Sequence, residues 1–193
     1  MKIGIIGKGN VGTALAKGLS RAGHQIKFGH RDPQEPVKSA IEWGEVIILA
    51  IPHESVKETV TNFGSAINGK TVIDVTNLLD DNMELLPGYT ISGAEEIQKL
   101  IPKAYVVKAF NTVFAKNQSS GHVHDAQLTA FVAGDHQKAK QTVMQLTKDL
   151  GFDPLDCGPL RAARYLEPMA ILIIGLAFKQ NMGVDIGYSL IKG

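Results

Sequence analysis

Hydrophobic runs rich in β-branched residues recur along the chain, and most are followed by turn residues and a helix-like stretch. The runs read "KIGII", "QIKF", "EVIILAI", "TVIDV", "YVVKAF" and "TAFVA". Alternation of this kind predicts a parallel sheet covered by helices on both faces. The nearly continuous hydrophobicity of "EVIILAI" indicates a strand that is buried on both sides. We therefore predict an α/β fold with these strands at its centre.

Helix signals fill the intervals between the predicted strands. Asn10 to Arg21 reads as a helix that stops at Gly23, and Pro52 opens another after "ILAI". "SGAE" at residues 92–95 has the spacing of a capping box before "IQKLI". A further helix is predicted from residues 136 to 150, and a last one over about 160–180.

The interval after the second predicted strand is unusually short. Only "HRDPQEPVKSAIEWG" separates "QIKF" from "EVIILAI", and two prolines stand near its start. It has room for one short helix, "VKSAIEW", and for little else. We predict that the usual crossover helix and edge strand of a dinucleotide-binding sheet are absent, which leaves the adenine side of the site open.

A glycine-rich loop follows the first strand directly and opens the first helix. It reads "GKGNVG" and matches the pattern G-x-G-x-x-G within a compact strand-helix-strand unit, which is the context of the Rossmann dinucleotide-binding fold. The glycines allow a tight turn, a close approach to a pyrophosphate and close packing of the helix, whose N-terminus favours an anion. The predicted pyrophosphate-binding residues are Gly7, Lys8, Gly9, Asn10, Val11 and Gly12.

The end of the second strand lacks the acidic residue that usually binds the adenosine ribose. "FGHRD" places Arg31 there, nineteen residues after Gly12. A guanidinium favours a 2′-phosphate over a 2′-hydroxyl, so we predict that the chain binds NADP(H), with His30 and Lys8 as additional donors. Two alternatives stay open: Arg31 is a plain surface charge, or Asp32 is the missing acid displaced by one position. We expect Asp32 to point outward, because Pro33 indicates a turn.

The composition favours a small-molecule ligand over nucleic acid or a membrane surface. The chain has 193 residues and a formal net charge of +1, so it lacks the broad basic field typical of proteins that bind nucleic acid or anionic membranes. Its single cysteine, Cys157, cannot form an intramolecular disulfide, and "MKIGII" is unlike a secretory signal. We therefore expect a cytoplasmic location. The longest apolar run, from Met169 to Phe178, is too short to cross a bilayer, which takes about 20 residues.

The apolar run instead predicts a buried helix at the end of a single domain that spans residues 1–193. A helix that is hydrophobic all round must be covered on all sides. A homodimer with these helices packed together would cover it, and an intrachain core helix is the alternative. "HVHD" at residues 122–125 spaces two histidines as metal ligands sometimes are, but we interpret it as a surface loop and predict no metal site.

Several motifs together resemble a known family. They are the glycine loop, "GHRD", "AIPHE", "VVKAFNTVFA", "VAGD" and "LGFDPLDCGPLRAARYLEPM". With them the chain resembles the F420-dependent NADP oxidoreductases, and "KAFNTVFA" is similar to the cytosolic domain of the STEAP metalloreductases. The resemblance implies hydride exchange between NADP(H) and a small-molecule electron acceptor that is a flavin or deazaflavin, with F420, FMN or FAD as candidates for the second cofactor or substrate.

The resemblance also implies further cofactor-binding residues. Carried over by motif, Ile51, Pro52 and His53 should border the riboses. Asn77, Asn111 and Thr112 should approach the nicotinamide. The heme-bearing membrane domain of the metalloreductases is absent from the chain, and no motif marks the surface that binds the acceptor.

No catalytic residue stands out, which is consistent with hydride transfer between two cofactors because the cofactors carry that chemistry. Lys108 and Asn111 resemble the lysine and asparagine of hydroxyacid dehydrogenases, so a small carbonyl or imine reductase is one alternative. We interpret Lys108 as a structural residue instead. A non-catalytic NADP(H)-binding sensor or regulator is the other alternative.

Overall fold

The structure, a computed structural model, describes residues 1–77 and 90–191 of the chain. Within these ranges the strands coincide with the six hydrophobic runs and add three short ones. In chain order they are β1 (Lys2–Ile6), β2 (Gln25–Gly29), β3 (Val46–Leu49), β4 (Thr71–Asp74), β5 (Tyr105–Lys108), β6 (His122–Val123), β7 (Ala126–Gln127), β8 (Thr129–Gly134) and β9 (Asp153–Asp156).

The helices lie close to their predicted positions, and the capping box forms. In chain order they are α1 (Asn10–Arg21), α2 (Val37–Trp43), α3 (His53–Thr61), α4 (Gly93–Leu100), α5 (Ala115–Gln118), α6 (Gln137–Asp149) and α7 (Ala163–Phe178). Ser92 accepts a hydrogen bond from the backbone of Glu95, whose side chain accepts one in return from the backbone of Ser92. Such reciprocal bonds satisfy two donors that a helix start otherwise leaves unpaired.

Seven strands form one sheet in the order β2-β1-β3-β4-β5-β8-β9. The predicted α/β, Rossmann-type fold is confirmed. The first five strands of this order are parallel, whereas β8 runs antiparallel to β5, so the sheet is mixed rather than wholly parallel. The sequence did not predict β9, which pairs in parallel with β8 and contains Pro154. An edge strand tolerates proline because one side of it is unpaired.

The predicted shortening after the second strand is also confirmed. Only α2, at the predicted "VKSAIEW", connects β2 to β3, and β2 forms the edge of the sheet. In the part of the chain that the structure describes, no strand lies beyond β2, and the adenine side of the predicted site is bordered by β2 and the turn that follows it.

Two apolar layers cover the sheet, because side chains alternate between its faces along each strand. Ile5 packs with Leu15 of α1 and Val143 of α6 on one face. Ile47 packs with Ile97 of α4 on the other. Each such fully buried side chain stabilises the fold by roughly 1.5 to 3 kcal/mol. The two layers hold the carboxyl ends of the strands in a fixed array.

The last helix, α7, is buried on one side only. Leu166, Ala170 and Ile173 are buried, whereas Tyr165 and Leu172 are 70% and 58% exposed. None of the helices in the two described ranges has both the length and the apolar character needed to span a bilayer.

After α7 the C-terminal segment runs back to β8, where the backbone N–H of Thr129 donates to the carbonyl of Tyr188 at 2.9 Å.

The "HVHD" segment forms a short hairpin rather than a plain loop. Strands β6 and β7 pair in antiparallel fashion, and His124 at the turn has a φ of +50°. The His122 Nδ1 atom lies 2.8 Å from the carbonyl oxygen of Ser120. Across residues 1–77 and 90–191, no three His, Cys, Asp or Glu side chains are grouped as a metal site requires.

Candidate functional site

Two glycines of the loop between β1 and α1 are required by the backbone itself. Gly7 has a φ of +105°, and a Cβ atom there would lie 2.1 Å from the carbonyl oxygen of Ala50. A Cβ atom at Gly12 would lie 2.2 Å from the carbonyl oxygen of Gly7. Both distances are far below van der Waals contact. These two positions therefore keep the turn tight and α1 close to the sheet.

Gly9 differs from both, because neither its conformation nor its surroundings require glycine. Its φ of −78° and ψ of −169° are extended values that any residue adopts. A Cβ atom would meet no heavy atom of the described chain within 4 Å. Helix α1 begins directly after Gly9, and no side-chain hydrogen bond caps it. Open space in front of uncapped N–H groups suits a pyrophosphate.

The end of β2 lies beside this loop and forms a small charged cluster with it. Lys8 donates to the Oε2 atom of Glu35 at 2.7 Å, and the Nε2 atom of His30 contacts the same oxygen. Lys8 also lies 5.3 Å from the ring centre of Phe28. Arg31 is exposed and forms no hydrogen bond or ion pair with the rest of the described chain. The three predicted donors Lys8, His30 and Arg31 thus lie at one edge of the sheet.

Glu35 is the residue of this cluster that sequence reasoning missed. Asp32 is exposed, as expected, and its Oδ1 atom accepts a hydrogen bond from the backbone of Gln34 at 2.9 Å. It therefore closes its own turn, whereas Glu35 reaches Lys8 and His30. The hydrogen bond from Lys8, followed by the one with His30, lowers the pKa of the Glu35 carboxyl below its ordinary value. Its position in a turn bounded by prolines was the only signal in the sequence.

The residues predicted to follow β3 lie against the glycine loop. The Cγ2 atom of Ile51 lies 3.0 Å from where a Cβ atom on Gly7 would stand. Pro52 precedes α3 in an extended conformation, and His53 is the first residue of that helix. Parallel strands present their carboxyl ends at one edge of the sheet, so these three residues share that edge with the glycine loop.

The residues predicted to approach the nicotinamide come from the ends of β4 and β5, and two of them bond to each other. The Nδ2 atom of Asn77 donates to the carbonyl of Asn111 at 3.1 Å, and the Nδ2 atom of Asn111 donates to Oδ1 of Asn77 at 3.1 Å. Asn111 also donates to the carbonyl of Leu166 at 2.9 Å. Thr112 is buried beside them.

The Oδ1 atom of Asn111 is buried and accepts no hydrogen bond within the described ranges. An unpaired buried acceptor costs roughly 1 to 3 kcal/mol. Phe110, the residue before it, is buried with a φ of +64°, which a bulky side chain seldom adopts. Backbone strain of this kind clusters at ligand sites, where the surrounding packing maintains it. Asn111 therefore holds a buried acceptor, without a partner in the described ranges, at the carboxyl edge of the sheet.

Lys108 lies in a buried ionic network and has no access to solvent. Its Nζ atom lies 2.8 Å from Asp74 Oδ2, 3.1 Å from Glu167 Oε1 and 2.6 Å from the carbonyl of Thr76. Desolvation lowers the pKa of Lys108, but the two carboxylates offset this and keep it above its ordinary value. Because its three donor protons are engaged, chiefly by two carboxylates, we interpret Lys108 as a structural cation.

Two residues of the "GPLRAARYLE" segment connect α7 to the start of α4. Arg164 donates to both carboxylate oxygens of Glu95, at 2.8 and 2.7 Å. Glu167 accepts a hydrogen bond from the backbone of Gly93 at 3.1 Å, in addition to its contact with Lys108. This segment, one of the motifs that carry the family resemblance, thus stabilises the packing of α7 on the sheet.

The Arg164–Glu95 pair predicts a loss of stability in acid. The bond from Arg164 is the largest of the causes that lower the pKa of Glu95 from 4.5 to about 2. Since the folded pKa lies below the unfolded one, this stabilisation is present above pH 4.5 and is lost as the pH falls toward 2. We expect Arg164→Gln to lower the free energy of unfolding by about 1 to 2 kcal/mol at neutral pH. Urea unfolding at pH 7 and pH 3 would measure it.

The exposed pair Lys38 and Glu42 provides the matched control. Their charged atoms are 3.8 Å apart on α2, and both side chains are mostly exposed. Lys38→Gln should therefore change the free energy of unfolding by less than about 0.5 kcal/mol at either pH. If the effect of Arg164→Gln does not shrink at pH 3, the ion pair is not the source of the acid sensitivity.

A cleft of about 670 Å³ extends from the glycine loop toward α5. This volume is in the range of small-molecule sites. Its lining combines the loop and α1 with the start of α5 and one residue of the C-terminal segment. The lining residues are Lys8, Gly9, Asn10, Thr13, Ala14, Lys17, Phe114, Ala115, Lys116, Ser119 and Val184.

Comparison with known proteins agrees with the resemblance found in the motifs. The model of a family described as NADP oxidoreductase, coenzyme F420-dependent, matches residues 2–78. An F420-dependent NADP reductase from Methanothermobacter marburgensis is 28% identical, over 96% of this chain and 98% of that protein. A crystal structure from Arthrobacter sp. FB24, of a protein assigned to the F420-dependent NADP-reductases, covers both chains fully at 27% identity with a TM-score of 0.90.

The metalloreductases match over a similar stretch of this chain. Metalloreductase STEAP3 from Rattus norvegicus is 30% identical over 185 residues, which is 90% of this chain. The chain spans 37% of the length of that protein. The predicted resemblance to both groups is confirmed.

Proposed function

We propose that this chain, as a relative of the F420-dependent NADP oxidoreductases, is an NADP(H)-dependent oxidoreductase. Its reaction is hydride transfer between NADPH and a flavin or deazaflavin such as F420. Residues 1–193 act as one NADP(H)-binding domain in this proposal. A cytoplasmic location stays a prediction.

The observation that carries the proposal is Gly9. Glycine there is required neither by φ nor by a neighbouring atom of the described chain, so its role is to leave room for a ligand. The open space faces the start of α1, where backbone N–H groups bind the pyrophosphate together with the loop residues from Gly7 to Gly12. The neighbouring cluster of Lys8, His30 and Arg31 then lies where the 2′-phosphate of NADP(H) would bind.

The remaining residues hold and shield the nicotinamide half. The unpaired Oδ1 atom of Asn111 accepts a hydrogen bond from the carboxamide, and Asn77 keeps Asn111 in place. Ile51 and Pro52 border the ribose. The bound nicotinamide supplies the hydride itself. Phe114 in the adjoining cleft offers an aromatic face to the acceptor ring.

Hydride transfer between two cofactors does not need an acid or base from the protein, and we assign none in the described part of the proposed site. Reduction of a carbonyl or imine calls for a positioned proton donor. Lys108, the lysine that suggested such a reductase, is 0% exposed and engaged by Asp74 and Glu167. It therefore cannot reach a substrate, and the geometry favours an acceptor whose own ring takes up the hydride.

Stopped-flow mixing of the protein with NADPH tests the proposal. The acceptor panel should contain F420, FMN, FAD and a ferric chelate, and NADPH oxidation is followed by its absorbance. We expect at least one flavin or deazaflavin to be reduced faster than without protein. If the protein binds NADPH tightly but reduces no acceptor faster than the protein-free reaction does, a non-catalytic NADP(H) sensor would describe it better.

Arg31 should discriminate between the two dinucleotides. Arg31→Ala removes a guanidinium that is free to bind the 2′-phosphate, and hydrogen bonds to charged groups contribute roughly 1.5 to 3 kcal/mol. We therefore expect NADPH binding to weaken by about ten- to a hundredfold and NADH binding to change little. Fluorescence titration with both dinucleotides measures the two dissociation constants. Equal losses for both would show that Arg31 does not bind the 2′-phosphate.

We also propose that the protein is a homodimer that covers α7. The exposed apolar side chains on and just after this helix are Tyr165, Leu172, Phe178 and Met182. Exposed apolar side chains grouped in this way commonly mark an interface with another protein. A second copy of the same chain offers the same apolar surface and so can cover it symmetrically.

Leu172→Lys should convert the dimer to a monomer. The side chain is 58% exposed in one chain, so the substitution leaves the core intact but places a charge in the interface. Light scattering coupled to size-exclusion chromatography should report the mass of two chains for the natural sequence and of one chain for the variant. Lys57→Glu, at an exposed position on α3, serves as a charge-changing comparison and should keep the mass of two chains. A single-chain mass for the natural protein would refute the dimer.

A further inference from the structure

Glu35 lies among the groups that the proposed function assigns to the 2′-phosphate. One of its carboxylate oxygens, Oε2, accepts a hydrogen bond from Lys8 at 2.7 Å and contacts the Nε2 atom of His30. Lys8 belongs to the glycine loop and His30 to the end of β2, so the carboxylate connects two elements. It occupies donors that a bound 2′-phosphate would need.

The backbone fixes Glu35 in this position. The N–H of His30 donates to the carbonyl of Glu35 at 2.9 Å, and the N–H of Glu35 donates to the carbonyl of Asp32 at 3.0 Å. An isolated bridge joins His30 to Pro36. These bonds close the turn that follows β2 and fix the backbone of Glu35 within reach of Lys8. The side chains of Lys8 and Glu35 are both partly exposed, so the carboxylate can give way to a ligand.

The two dinucleotides interact with this carboxylate in opposite ways. The 2′-phosphate of NADPH is an anion that seeks the same donors, so it must displace Glu35 or lie close to a like charge, and either costs affinity. NADH brings a 2′-hydroxyl, which can donate a hydrogen bond to a carboxylate. Arg31 has no partner in the described chain and is free for the phosphate. Glu35 and Arg31 thus act against each other.

We propose that Glu35 is a specificity-determining residue that competes with the 2′-phosphate for Lys8 and His30 and so limits the preference for NADPH over NADH. The inference rests on the proposed NADP(H) site. It assigns to Glu35 a role distinct from the positive selection by Arg31, and it accounts for an acidic residue at the centre of a cationic cluster.

The test compares the dissociation constants of NADPH and NADH for the natural protein and for Glu35→Gln, by fluorescence titration. We expect the ratio of the NADH to the NADPH dissociation constant to rise about tenfold in the variant, which corresponds to removal of one strong charge interaction. Glu35→Ala should change the ratio in the same direction. Thermal unfolding of both variants checks that they are folded, which the partial exposure of this side chain favours.

Glu42→Gln is the matched control. It removes a carboxylate from the nearby helix α2, and that carboxylate is paired with Lys38, at 3.8 Å, and not with the cofactor-binding residues. Its ratio should equal that of the natural protein. If the natural protein binds NADPH but the ratio of the NADH to the NADPH dissociation constant does not rise in either Glu35 variant, the role of Glu35 is overturned and the proposed function is not. A natural protein that binds no NADPH overturns the proposed function as well.

Discussion

Gly9→Val should abolish cofactor binding without disturbing the fold. The backbone at Gly9 is extended, and a Cβ atom would meet nothing within 4 Å in the described chain, so valine fits the free protein. Its methyl groups would fill the space assigned to the pyrophosphate. We expect NADPH binding to weaken by at least about a hundredfold. Fluorescence titration measures the affinity, and thermal unfolding should show a melting temperature close to that of the natural protein.

Two comparisons make this prediction sharp. Gly12→Val places its Cβ atom 2.2 Å from the carbonyl oxygen of Gly7, so this variant should lose stability as well as binding. Gly175 is another glycine with open space around it, but it lies in α7, and Gly175→Val should leave NADPH binding unchanged. If Gly9→Val binds NADPH normally, the pyrophosphate does not cross this loop.

Lys108→Met should cause the largest loss of stability among the substitutions considered. Methionine preserves much of the side-chain volume but removes the cation between Asp74 and Glu167, which are both buried. Breaking a buried ion pair in this way typically costs about 3 to 5 kcal/mol, because it leaves uncompensated charge in the interior. Urea unfolding followed by circular dichroism measures the change in the free energy of unfolding.

If Lys108→Met fails to fold, its free energy of unfolding cannot be measured, so a milder substitution is tested beside it. Glu167→Gln removes one charge and retains an acceptor for the backbone of Gly93, and we expect a loss of about 1 to 3 kcal/mol. Lys38→Met on the exposed face of α2 should change stability by less than about 0.5 kcal/mol. A loss below about 1 kcal/mol for Lys108→Met would contradict the structural role of the network.

Local patterns were enough to predict the parts of the site that lie within one segment of chain. The glycine loop is specified by residues next to each other, and its position between a strand and a helix is visible as periodicity. The short interval after β2 follows from counting residues. Arg31 was predicted as a cofactor-binding residue because the acid that usually binds the ribose lies at a fixed distance from the loop. Each of these features needs no knowledge of how distant segments pack.

Features that depend on long-range contacts could not be predicted. Lys108 meets Asp74 and Glu167 only after β4, β5 and α7 have come together, and nothing near any one of these residues indicates the other two. Glu35 was missed for a related reason, since its partner Lys8 is distant in sequence. The direction of β8 was also hidden, because this strand is almost wholly buried and its continuous hydrophobic run is the pattern that a parallel strand usually has.

Among the described residues the sheet ends at β2, and this has a kinetic consequence for the proposed NADP(H) site. With only the seven-residue α2 beside β2, the adenosine half of a dinucleotide bound there would have a shallow wall on one side. A ligand that buries less surface generally dissociates faster, because affinity within related complexes varies chiefly through the dissociation rate. In the proposed reaction the dinucleotide must leave after each hydride transfer, and a short residence time would allow this.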